Sequence, residues 1–199
     1  MSEFRRRLLM QSKSLLPSAY QQVEYIESQG AQIITLDYIV KEDDTIDFDF
    51  YIIKCVGEGH FTQATNGIVG IWYNYGASVY VRFGYNASLN VGATKTQIKQ
   101  HCILEKNRII VDGVTTALEY LSMPNVPQNI FAGKKPNGEY YSFTYARIYA
   151  YSIYNENETK INLIPCYRKS DGEIGMYDTI NKKFYTNIGS GTFLKGADI

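Results

Sequence analysis

From Pro17 to Ile199 the sequence does not sustain a 3.6-residue apolar period long enough to form a helix. It alternates instead. In "DTIDFDFYI", Ile46, Phe48 and Phe50 fall on one side, and Asp47, Asp49 and Tyr51 on the other. A period of two with one apolar face marks a half-buried strand. "VEYIES" alternates in the same way, setting Val23, Tyr25 and Glu27 against Glu24, Ile26 and Ser28. Turn residues recur at intervals of about ten residues, which divides the chain into roughly twelve short strands. That pattern predicts an all-β protein, a two-sheet antiparallel jelly-roll sandwich.

The turns themselves are legible. Asp112-Gly113 stands between Arg108–Val111 and Val114–Leu118. Asp-Gly between β-branched runs predicts a type I′ hairpin. Pro136-Asn137-Gly138, Asn181-Lys182 and Ser190-Gly191 predict further turns. The runs around Ile68–Tyr73 and Ser78–Tyr85 form another hairpin, turning at 74–77. "IPCYRKSDGEIGMYD", Ile164 to Asp178, has the composition of a catalytic loop and the pattern of strand, turn, strand. Pro165 suits an edge or a strand disruption. Gly172 and Gly175 suit a turn and a close approach. Asp171 and Asp178 are expected to hold turn amides, with calcium at Asp171, Gly172 and Asp178 as the alternative.

Residues 1–16 differ in kind. "MSEFRRRLLMQSKSLLP" predicts a short helical arm, capped by Ser2 and ended by Pro17. Phe4 and Leu8 share a face, with Leu15 near it. The arm carries a net charge of +3, and residues 17–199 carry −3. Phe4, Arg5, Arg6, Arg7, Leu8 and Leu9 are therefore the residues expected to anchor the arm to a partner. The body offers no electrostatic case for nucleic acid. No run of about 18 apolar residues is present, so no membrane insertion is expected. Cys55, Cys102 and Cys166 are an odd, widely spaced set without a C-x-x-C, which argues against a disulfide framework.

Catalytic patterns are sparse. Asp47 and Asp49 point the same way, as paired carboxylates of sandwich glycosidases do. A third acid is lacking, because position 51 is Tyr, so they read as the solvated face of an edge or outer strand. Cys55, His60, His101, Cys102 and Cys166 match no zinc spacing. "GEGHFT" reads as a Gly-rich loop with His60 exposed. No G-x-S-x-G elbow, phosphate loop or dinucleotide fingerprint occurs. The chain is thus expected to be a non-enzyme with no cofactor and no metal. A binding face is the stronger candidate: Trp72, Tyr73, Tyr75, Tyr80 and Tyr85 gather around one hairpin. Their rings could stack on sugars, with Arg82, Asn74 or Asn86 bonding hydroxyls. The alternative is that Trp72 is core and the tyrosines line an interface.

"LPSAYQQVEYIESQGAQIITLDY" at 16–38 resembles the opening of laminin-G-like, concanavalin A-like jelly-roll domains. "IIVDGV" resembles their Asp-Gly hairpin. "LIPCYRKSDGEIGMYDTINKKFYTNIGSGTF" at 163–193 resembles their C-terminal signature. "FRRRLLM" is similar to the leader of such proteins in gut bacteria and their phages. "AQIITLDY" departs from the family's Tyr-Ile-Asp-Thr-Gly strand, and no role is carried to Asp37. The resemblance implies a phage virion structural protein: a head or tail fibre, or a decoration. Other virion proteins would hold the arm, and the domain would face outward, with a cell-surface glycan as a further partner. Such proteins are commonly homo-oligomers, here a trimer or dimer. The alternatives are a carbohydrate-binding adhesin of a bacterial surface and, below that, a glycosidase of the same superfamily.

Overall fold

A computed structural model describes residues 16–64, 69–74, 78–83, 89–93, 95–120 and 127–199. The strands run in order β1 (Tyr20–Gln22), β2 (Ile26–Gln29), β3 (Ile34–Ile39), β4 (Thr45–Lys54), β5 (Glu58–Ala64), β6 (Val69–Asn74) and β7 (Ser78–Phe83). Then come β8 (Leu89–Ala93), β9 (Lys99–Glu105), β10 (Arg108–Val111), β11 (Val114–Ala117), β12 (Pro127–Ile130), β13 (Gly133–Lys134) and β14 (Tyr140–Tyr141). The last are β15 (Tyr145–Tyr154), β16 (Thr159–Arg168), β17 (Ile174–Asp178), β18 (Lys183–Thr186) and β19 (Leu194–Lys195). No helix occurs among the described residues. The predicted helical arm lies in residues 1–16, of which 1–15 are outside the described residues.

Two antiparallel sheets make the body. The larger follows the order β11-β10-β9-β4-β15-β16-β17-β18, and the smaller β3-β12-β5-β6-β7-β8. A third, two-stranded piece pairs β13 with β14. In the larger sheet the β15–β16 hairpin is paired only up to Tyr151↔Leu163. Beyond that point β2 takes the edge of β15 and β1 takes the edge of β16. Pro165 sits at this fork, between Leu163, which faces β15, and Cys166, which faces β1. Its carbonyl accepts from the Val23 N–H at 3.0 Å. The strand is interior rather than an edge. Proline is tolerated because its missing N–H falls where the neighbouring strand changes.

The core lies between the sheets. Ile46, Phe48 and Phe50 of β4 are all 2% exposed or less, as their alternation predicts. Phe50 meets Phe61 of β5 at 4.7 Å between ring centroids, which joins the two layers. A polar bridge crosses beside it. The Tyr151 hydroxyl lies 2.9 Å from Thr62 Oγ1, which also accepts from Gln128 Nε2 at 2.6 Å. A buried polar bridge fixes the sheets' relative register in a way that interchangeable apolar contacts do not.

The predicted turns form. Asp112 and Gly113 take φ of 50° and 84°, the two positive values of a type I′ turn. Gly172 turns β16 into β17 with φ 73°. Gly175 marks a close approach, since a Cβ there would lie 2.2 Å from the Tyr185 carbonyl oxygen.

Candidate functional site

The outer face of the smaller sheet carries the aromatic row. In β6, Val69, Ile71 and Tyr73 point to the core, so Gly70 and Trp72 point outward. Register sets His60 of β5 and Tyr80 of β7 on either side of Trp72. The rings stack, His60 on Trp72 at 5.5 Å and Trp72 on Tyr80 at 6.0 Å. Both faces of the Trp72 ring are therefore occupied, and it is 8% exposed. Tyr80 is half-buried and ends the row. Next along, Gly70 stands opposite both Gln63 and Arg82. It contributes no side chain between them, because a Cβ there would lie 2.4 Å from the Thr62 carbonyl oxygen.

The β13–β14 hairpin walls the other side. Tyr141 meets His60 edge-on at 5.3 Å, and its hydroxyl accepts from Gln63 Nε2 at 3.2 Å. The Tyr140 hydroxyl is 3.1 Å from Thr35 Oγ1, which donates to Asn129 Oδ1 at 2.7 Å. Gly133 allows the hairpin to pass, since a Cβ there would strike Gln63 Oε1. His60 is 2% exposed. Its Nε2 is 3.2 Å from Glu58 Oε1, but neither ring nitrogen makes an aligned hydrogen bond. Burial pushes the imidazole below its ordinary value, against the opposing pull of Glu58. The contact with His60 in turn holds the Glu58 carboxyl below its own.

Several expectations change here. Tyr73 is not on the outer face of the smaller sheet: it is fully buried, its ring lies against Gly59, and its hydroxyl reaches the Lys54 carbonyl at 3.4 Å. Strand alternation forbids Trp72 and Tyr73 from sharing a face. Trp72 lies on the outer surface of the sheet, but both faces of its ring are covered, so it cannot offer one for stacking. Tyr80 and Arg82 stand on that same face. Tyr75, Tyr85 and Asn86 lie outside the described residues, as do Phe4, Arg5, Arg6, Arg7, Leu8 and Leu9. His60 is no exposed loop residue but part of β5, bulged at Phe61 and covered on both sides. Gln63, Tyr140 and Tyr141 were not visible as site residues from the sequence.

The other candidates separate. Asp47 and Asp49 are not on an edge strand, because β4 lies between β9 and β15. They project from the outer face of the larger sheet toward His101, whose Nδ1 is 2.9 Å from Asp49 and 3.6 Å from Asp47. Lys99 adds a contact to Asp49 at 3.5 Å. Position 51 is occupied by a tyrosine whose ring packs under the Arg147 guanidinium, at 4.9 Å from its centroid. Asp171 and Asp178 lie at opposite ends of the β17 region, Asp171 in the turn before it and Asp178 at its last position. Arg168 holds Asp171 through two nitrogens, and the Glu173 N–H donates to it at 3.1 Å. Asp178 accepts from the Ile180 N–H, the Asn162 N–H and Asn181. Both act as turn anchors. Among the described residues no group of His, Cys, Asp and Glu is arranged to hold a metal ion. Cys102 and Cys166 are fully buried free thiols, and burial pushes Cys166 up to about 12.

The fold and its two decorated faces define an antiparallel β-sandwich. No protein-family model matches the chain, and no curated protein matches it. Among solved structures, one match is a mutant of Trypanosoma rangeli sialidase displaying trans-sialidase activity. Identity is 15% and the TM-score 0.45, over 56% of this chain and 20% of that one. This chain thus matches about a fifth of that structure's length.

Proposed function

We propose that this protein is a laminin-G-like, concanavalin A-like recognition module, carried on a phage virion as a fibre or decoration, whose smaller sheet receives a cell-surface glycan. One observation carries the binding reading: the stacked row His60–Trp72–Tyr80 ends in a half-exposed tyrosine, with Arg82 and the bare position of Gly70 beside it. Trp72 holds the Tyr80 ring upright. The outward face of Tyr80 stacks on a sugar, and Arg82 bonds hydroxyls. The virion placement rests on the sequence resemblances at both ends of the chain and on the apolar, basic arm.

The glycan reading is tested by a glycan array followed by titration of any hit. Trp72 is the chain's single tryptophan and stacks on Tyr80, so its fluorescence should report binding. Tyr80→Ala and Arg82→Ala should each weaken binding by about tenfold or more, with circular dichroism unchanged. An array with no hit, or full affinity in Tyr80→Ala, defeats the reading. The virion reading is tested separately. A chain lacking residues 1–16 should no longer incorporate into particles, and undiminished incorporation defeats it.

A further inference from the structure

Residues 131–144 cross the outer face of the smaller sheet as a strap. The β13–β14 ladder within it joins neither of the two sheets. At the base, the Thr144 N–H donates to the Phe131 carbonyl at 3.0 Å. Phe131 is fully buried against Phe193, so the base is fixed in the core. Above the base, the Tyr141 and Tyr140 hydroxyls reach Gln63 and Thr35. The His60 N–H donates to the Ser142 carbonyl at 3.0 Å. The tip, from Lys135 to Glu139, is exposed.

The strap begins and ends in strained backbone. Phe131 has φ 73° and Ser142 has φ 50°. The left-handed region is disfavoured for residues that carry a Cβ, so rotation at either position relieves strain. Both positions can therefore serve as pivots for the segment between them.

The strap closes over polar groups that lack partners. His60 and Gln63 are 2% and 1% exposed, and neither ring nitrogen of His60 nor Gln63 Oε1 makes an aligned hydrogen bond among the described residues. Glu58 of β5 brings the one carboxylate in contact with His60, at 3.2 Å, and Ser142 Oγ donates to its other oxygen at 3.4 Å. Trp72 and Tyr141 bring uncharged rings. The strap adds cations: Lys135 lies over the Tyr141 ring at 5.9 Å and pairs with Glu139, and Lys134 lies over Tyr140 at 5.1 Å. Arg82 of β7 is a further cation on the same face, across Gly70 from Gln63. A proton on His60 adds positive charge to this group in a buried place, opposed by Glu58. Lifting the strap gives the imidazolium and both of its N–H groups to water.

We infer that the β13–β14 hairpin is an acid-released strap: it closes over the smaller sheet while His60 is neutral, and lifts about Phe131 and Ser142 when His60 takes a proton. Protonation and opening are then one linked equilibrium. The inference does not depend on the glycan reading, and a glycan array without a hit leaves it standing.

Amide hydrogen exchange of the full chain, followed by NMR at pH 7.5 and 5.5, tests it. The reporter is the amide at position 60, whose bond to Ser142 breaks when the strap lifts. Its protection factor, corrected for the intrinsic rate at each pH, should fall by about fivefold or more at the lower pH. In low urea its exchange should be insensitive to denaturant, whereas amides of β4 and β15 should exchange through urea-sensitive global unfolding. His60→Gln should abolish the pH effect on this amide. Tyr141→Ala, which removes the cover and keeps the titrating group, should move the NMR titration of the His60 ring up toward 6.5. The chain has two histidines, and His60→Gln assigns the signal. The inference is overturned by an amide at position 60 that exchanges only with global unfolding. It is equally overturned by a pH effect that survives His60→Gln, or by a His60 titration that Tyr141→Ala leaves unmoved.

Discussion

His60 is a neutral imidazole because of where it sits, between Trp72 and Tyr141 on a face closed by the β13–β14 hairpin. In the unfolded chain it titrates near 6.5, and burial lowers that value in the fold. Between the two values the unfolded chain holds a proton that the folded chain lacks, so stability rises with pH. The His60 contribution is complete above about 6.5 and falls away as pH drops below it. The depressed Glu58 carboxyl acts in a lower window, losing its contribution only as pH falls below 4.5. Urea midpoints between about pH 5 and 8 should decline on the acid side. His60→Gln should flatten that decline. An equally steep decline in the variant would assign it to another group. The sequence does not announce this residue. "GHFTQA" is buried on both faces and bulged at Phe61, so neither alternation nor composition distinguishes it from a loop. The burial of Tyr73 follows from strand alternation, since adjacent strand residues cannot share a face, although Tyr73 stands with Trp72 among the binding residues expected from the sequence.

At the scale of elements, two glycines separate conformational from steric demand. Gly113 holds φ 84°, and a Cβ there would meet nothing within 4 Å, so Gly113→Ala costs only backbone strain, about 1 kcal/mol. Gly175 has no positive φ, yet its Cβ would lie 2.2 Å from the Tyr185 carbonyl oxygen in the next strand. Gly175→Ala must push β17 from β18 and should cost about 2 kcal/mol or more. Chemical denaturation ranks them, and equal costs would contradict the distinction. The hairpin at Asp112-Gly113 was readable because its cause is local, two residues that tolerate positive φ. The close approach at Gly175 was readable only as a glycine needing a reason. The reason lies ten residues away in sequence, at Tyr185. The fork at Pro165 was harder still, because it depends on β1 and β2 returning from the far end of the chain.

For the whole molecule, the C-terminal segment is knitted into the sandwich. β19 pairs with β2 through Leu194↔Glu27, and Asp198 bridges to Val23. The Ile199 N–H reaches the Gln22 carbonyl at 3.1 Å. Phe193 is 2% exposed and meets Phe131 at 5.3 Å, so the last segment contributes to the core itself. Near the start of the described residues, the Tyr20 ring lies against Tyr177 and Phe184 at 4.8 and 5.1 Å. Removing residues 192–199 takes a buried aromatic from the core and strips the edge of β2, a loss of about 3–5 kcal/mol. Removing residues 1–16 should change stability by less than about 0.5 kcal/mol. Chemical denaturation of the two truncations measures both. A large loss on removing residues 1–16 would make them part of the domain's own core. A small loss on removing 192–199 would mean that Phe193 covers the core without holding it. The expected asymmetry leaves the arm thermodynamically dispensable to its own domain, which is the condition for its binding energy to be spent on assembly.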